Sequence, residues 1–129
     1  AMKVGKEQIM GLLEALDQYD ERDHEAQARH NLDTATWLAD HIGAIGGLKA
    51  QVIQDEAGRA IWRCRVELDA GAVVGRTMSE VNDALLAGDP TVWTRTEFLN
   101  LGKIDFDPRP LVEGDKELIV EKLQSIMEE

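Results

Sequence analysis

Apolar residues recur at helical spacing from residue 6 to about 19, where Ile9, Leu12, Leu13 and Leu16 share one side and glutamate, glutamine and aspartate the other. The spacing predicts a short amphipathic helix. A second helical pattern runs from about 21 to 42 through Ala28, Leu32, Ala35, Leu38, Ala39 and Ile42, with Asp20 or Asp23 placed to break or cap the junction and "GAIGG" to end it. "LKAQVIQ" and "AIWRCRVEL" then flank the turn-rich "DEAGR", which predicts an antiparallel hairpin. Past the loop "DAGAVVGR", Thr77 with Glu80 forms a capping box, Val81, Leu85 and Leu86 supply an apolar face, and "GDP" stops the helix. "TVWTRTEF" and "GKIDFD" read as two more short strands, and Asp115 as the cap of a last helix that turns Leu118, Ile119, Leu123, Ile126 and Met127 inward. The order α, α, β, β, α, β, β, α predicts an α+β two-layer sandwich: a mainly antiparallel four-stranded sheet with helices on one face.

With 129 residues, 43% hydrophobic and 30% charged, the chain suits one domain with a real core. It contains no run long enough for a membrane span, and its start lacks the basic-then-apolar layout of a signal peptide, so a cytoplasmic protein is expected. Twenty-five acidic residues against fourteen basic ones leave a charge of −11, which opposes binding to phosphate backbones and makes nucleic acid an unlikely partner.

Few residues here carry catalytic chemistry. Cys64, the single cysteine, alternates with Arg63 and Arg65, so its thiol belongs to a buried strand face and is no nucleophile. His24, His30 and His41 do not share the i, i+4 spacing of a helical metal pair, and no metal site is predicted. No phosphate-binding glycine loop or serine nucleophile is legible, which leaves no catalytic residue to name. The unusual stretch is 89–111, "DPTVWTRTEFLNLGKIDFDPRPL", with all three prolines, Trp93, Arg95 and Arg109. In "DPRPL" the prolines bias Asp107 and Arg109 toward extended backbone and so predict a stiff arm. Two arginines beside an aromatic ring can bind an anion. The residues alone favour an ordinary strand end, in which Arg109 pairs with Asp105, Asp107 or an acidic helix.

Together with "MKVGKEQIMGLLEAL" at 2–16 and "GDKELIVEKLQSI" at 114–126, this stretch resembles the C-terminal part of the selenocysteine-synthase-like pyridoxal-phosphate enzymes. That group includes L-seryl-tRNA selenium transferase and the D-glucosaminate-6-phosphate ammonia-lyases, and the likeness is nearer to the ammonia-lyase branch. The resemblance implies the aspartate aminotransferase fold, in which a small C-terminal domain closes over a large domain that holds pyridoxal phosphate. Residues 1–22 would then be a linker helix to the large domain, and 23–129 the small domain. Neither Lys3 nor Lys6 matches the Schiff-base lysine, so this chain alone is expected to bind no cofactor and to catalyse nothing. The resemblance assigns Arg109 to the substrate carboxylate, with Arg95 as the second candidate. The expected partners are the large domain, a small-molecule substrate and further copies in a homo-oligomer. Because a −11 domain would repel tRNA, a small amino acid or amino sugar acid is the expected substrate class. The alternative from another class is a stand-alone acidic binding module without catalysis.

Overall fold

A computed structural model describes residues 3–72 and 75–128. Val73 and Val74, in the loop read between hairpin and third helix, lie outside the described residues. Four helices, α1 (Lys6–Asp20), α2 (His24–Gly43), α3 (Met78–Ala87) and α4 (Asp115–Glu128), accompany a three-stranded antiparallel sheet of β1 (Leu48–Gln54), β2 (Trp62–Leu68) and β3 (Lys103–Phe106) in that order. The α+β architecture matches the alternation of elements in the sequence; the four-stranded sheet does not. "TVWTRTEF" contributes one isolated bridge, Arg95 to Asp105, and then winds into a 3-10 turn at Leu99–Leu101. The cause is tertiary. Leu99 packs against the core and the Phe98 ring lies 4.3 Å from the Arg65 guanidinium, so this segment leaves the β3 edge after a single rung.

The sheet register explains the core. Cys64 stands opposite Phe106 and Val66 opposite Ile104, which puts all four on one face. Onto that face pack Leu38 and Ile42 of α2, Val81 and Leu85 of α3, and Ile119 and Leu123 of α4. Asp23 caps α2 by accepting from the Ala26 N–H at 2.8 Å, and the Thr77/Glu80 capping box opens α3. Asp115 differs from its expected role. It is the first residue of α4, and its carboxylate accepts from the Val112 N–H at 2.8 Å, so it ties down the preceding loop. Leu118 also departs from expectation, being half-buried beside a cleft while Ile119 and Leu123 take the core positions.

Every residue of α1 is exposed, including Ile9, Leu12 and Leu16 at 47%, 62% and 50%. The amphipathic face legible in the sequence therefore has nothing beneath it among the described residues. No helix among the described residues is long and apolar enough to cross a membrane.

Cys64 is fully buried, and that burial, with Asp105 nearby, pushes its thiol up to about 12. A thiol reagent at pH 8 is expected to label the native chain only at the rate of unfolding; fast stoichiometric labelling would contradict the packing. The folded pKa lies above the ordinary value, so as pH rises past that value the unfolded thiol ionises first. Stability then falls by up to about 1.4 kcal/mol per pH unit, until the folded thiol ionises too.

Candidate functional site

Opposite the core face, β2 and β3 present complementary charges. Antiparallel pairing sets Glu67 against Lys103 and Arg65 against Asp105, and the same register continued one step further sets Arg63 against Asp107. The contacts follow: Lys103 Nζ lies 3.5 Å from Glu67, Arg65 Nε donates to Asp105 at 2.7 Å, and Arg63 Nε donates to Asp107 at 3.4 Å. The signal was present in the sequence as two alternating charge runs, "RCRVE" and "KIDFD", whose signs complement one another only when the strands run antiparallel.

The expected stiff arm at 107–111 is a turn. Asp107 accepts the Arg109 main-chain N–H at 3.2 Å, and the Leu111 N–H donates to the Pro108 carbonyl at 3.2 Å. Such a side-chain-to-backbone bond two residues on is the way aspartate draws a chain round. The turn folds Arg109 back onto Asp107, whose two oxygens accept from Nε at 2.8 Å and Nη2 at 2.6 Å. This is the ion pair that the residues alone favoured. It raises the Arg109 pKa, chiefly through those hydrogen bonds. Burial by itself would raise the Asp107 pKa, but the bonds from Arg109 and Arg63 hold it below the ordinary carboxylate value.

Arg95 arrives at the same place from the bridge to Asp105. Its Nη1 lies 3.8 Å from Asp107, and its Nη2 donates to Glu97. The segment carrying it is fastened to α3 by Thr94 Oγ1, which donates to Asn82 at 2.6 Å. The structure thus brings the two arginines singled out in the sequence to one carboxylate. It adds Arg63, which sequence reasoning had left as an outward strand residue.

Both arginines line a cleft of about 800 Å³ between residues 90–95, the 106–111 turn and the start of α4. Phe106 is part of its lining, Leu111 and Leu118 add apolar surface, and Trp93 stands at 80% exposure. A cleft with an apolar lining and a few convergent cations suits a small ligand that carries an anionic group. The histidines lie elsewhere: His41 stacks on Trp37 with centroids 3.7 Å apart, and His24 packs against Tyr19 at 4.3 Å.

These features define a small α+β domain with an arginine-lined cleft beside its sheet. No protein-family model matches the chain. It is 40% identical over 128 residues to D-glucosaminate-6-phosphate ammonia lyase of Salmonella typhimurium (strain 14028s / SGSC 2262), across 99% of this chain and 33% of that protein. It is 36% identical over 126 residues to 5'-C-glycyluridine monooxygenase-decarboxylase of a Streptomyces species, across 98% of this chain and 31% of that protein. A solved structure of D-glucosaminate-6-phosphate ammonia-lyase superposes with a TM-score of 0.77 at 38% identity, over 98% of this chain and 33% of that one. The chain thus spans about a third of the length of the relatives it matches. It corresponds to a small C-terminal domain of an enzyme of this kind.

Proposed function

We propose that the chain serves as the small domain of a pyridoxal-phosphate-dependent lyase or transferase, closes over that enzyme's active site and offers Arg109 to the carboxylate of a small amino acid or amino sugar acid. The observation that carries this reading is the cleft, where Arg109 and Arg95 meet beside apolar walls in a chain whose overall charge is −11. A planar guanidinium gives a carboxylate two parallel hydrogen bonds and fixes its orientation, which a lysine ammonium cannot do. The names of the relatives, an ammonia lyase of glucosaminate-6-phosphate and a monooxygenase-decarboxylase of a glycyluridine, support an acid bearing an amine as the substrate class.

The cofactor belongs to the rest of the parent protein. Among the described residues the cleft is lined by no lysine that could form an imine with an aldehyde cofactor, and its Asp107 is committed to guanidinium partners, so these residues do not fit pyridoxal phosphate. Within this chain the roles are therefore binding and orientation: Arg109 holds the carboxylate, Arg95 adds a second cation beside it, and the apolar lining offers a surface to the rest of the ligand. The exposed face of α1 supports docking on the large domain, because Ile9, Leu12 and Leu16 lack cover among the described residues.

Replacing Arg109 with lysine in the complete enzyme tests the reading. A fall in kcat/KM of about tenfold to a hundredfold with an unchanged melting temperature is the expected result, the lysine keeping the charge but losing the bidentate geometry. Normal kinetics with lost stability would assign Arg109 to its ion pair alone.

A further inference from the structure

The ion pairs around the cleft form one linked cluster whose charges do not balance. Asp55 holds Arg59 at 2.8 Å and lies 3.9 Å from Arg63; Arg63, Arg95 and Arg109 all reach Asp107; and Arg95 also binds Glu97. Among the described residues, four guanidiniums are linked to three carboxylates. Asp107 alone serves three cations, with Arg109 closest at 2.6 Å and Arg63 and Arg95 at 3.4 and 3.8 Å. Burial is graded across them: the Arg109 and Arg95 side chains are 43% and 40% exposed, those of Arg63 and Asp107 only 13%.

We propose that Asp107 is an internal counter-ion for Arg109, which an incoming monocarboxylate displaces toward Arg63 and Arg95. The proposal rests on the carboxylate role given to Arg109 above. As the domain stands, Asp107 occupies the Nε and Nη2 positions of Arg109 in the two-oxygen geometry that a ligand carboxylate would adopt. A ligand must therefore compete for that edge, and its apparent affinity falls by the fraction of time the edge is free. Exchange is eased because Asp107 has two other cations within 4 Å and trades the Arg109 pair for closer contact with them. The direction of the exchange follows from burial, since Asp107 moves inward to Arg63 while the ligand takes the outer, accessible guanidinium. One carboxylate added to the cluster brings it to four against four, which makes a single negative charge the matching ligand.

Gluconate binding to the 129-residue chain tests this, read from the Arg109 Nε–H resonance together with tryptophan fluorescence, with the fold of every variant checked by circular dichroism. Asp107→Asn is expected to bind gluconate at least tenfold more tightly than the unaltered chain. Arg63→Met is expected to weaken binding severalfold when Asp107 is present and to have no effect in the Asp107→Asn background, because only a displaced Asp107 needs Arg63. If Arg63→Met unfolds, Arg63→Gln replaces it with the same expectation. Equal affinity of the Asp107→Asn and unaltered chains, with binding abolished by Arg109→Met, would overturn the exchange and leave the carboxylate role of Arg109 standing. Binding that survives Arg109→Met, or no binding in any variant, would overturn both.

Discussion

Replacing Asp105 with alanine is expected to lower the unfolding free energy by about 3 kcal/mol, because it strands a largely buried guanidinium. Asp105 is 4% exposed, and its two oxygens accept from Arg65 Nε and Nη2 at 2.7 and 2.8 Å. The Arg65 side chain is itself only 17% exposed, and its pKa is raised, first of all by those hydrogen bonds. The Phe98 ring over it, at 4.3 Å, offers a π face but no hydrogen-bond acceptor to replace a carboxylate. Urea denaturation of the single variant and of Arg65→Met with Asp105→Leu separates the pair from its packing. The double variant is expected to recover most of the loss, since an apolar pair of similar volume needs no desolvated charge. A single-variant loss below about 1 kcal/mol would show that water reaches Arg65 and that the pair behaves as a surface one.

What the sequence made legible follows from where local chemistry decides structure. β1 has the bounds read from "LKAQVIQ", and α3 starts at its capping box, because alternation and a two-residue cap are fixed by neighbours in the chain. Cys64 and Val66 lie inward as their alternation required. The fourth strand failed because "TVWTRTEF" has strand composition, yet its conformation is set by Leu99 on the core and Phe98 on Arg65, contacts no local pattern encodes. The same holds for the site. Arg95 and Arg109 stood out by their proline frame and aromatic neighbour, whereas Arg63 joins them only through the pairing of β2 with β3, across 44 residues of chain. The turn at 108–111 escaped because proline restriction predicts extended backbone, and the Asp107 side chain redirects it.

Phe106→Ala is expected to cost about 3–5 kcal/mol and to weaken carboxylate binding with it, which ties the core to the clamp. Phe106 is 2% exposed, stands opposite Cys64 in the sheet and is packed in the same cluster as Ile104 and Val66, so truncation leaves a cavity that the rigid sheet cannot close. Phe106 is also among the residues that line the cleft of Arg95 and Arg109. Alternation along β3 turns Asp105, and one step further Asp107, to the face opposite Phe106, so the depth of the ring in the core fixes how the two carboxylates meet Arg65 and Arg63. Phe106→Leu keeps most of the volume and is expected to lose less stability, with the clamp intact. Denaturation midpoints beside gluconate titrations of the three chains decide the point. If Phe106→Ala loses stability as expected and still binds gluconate like the unaltered chain below its melting range, the carboxylates are held by the arginines themselves, and the core has no part in positioning them.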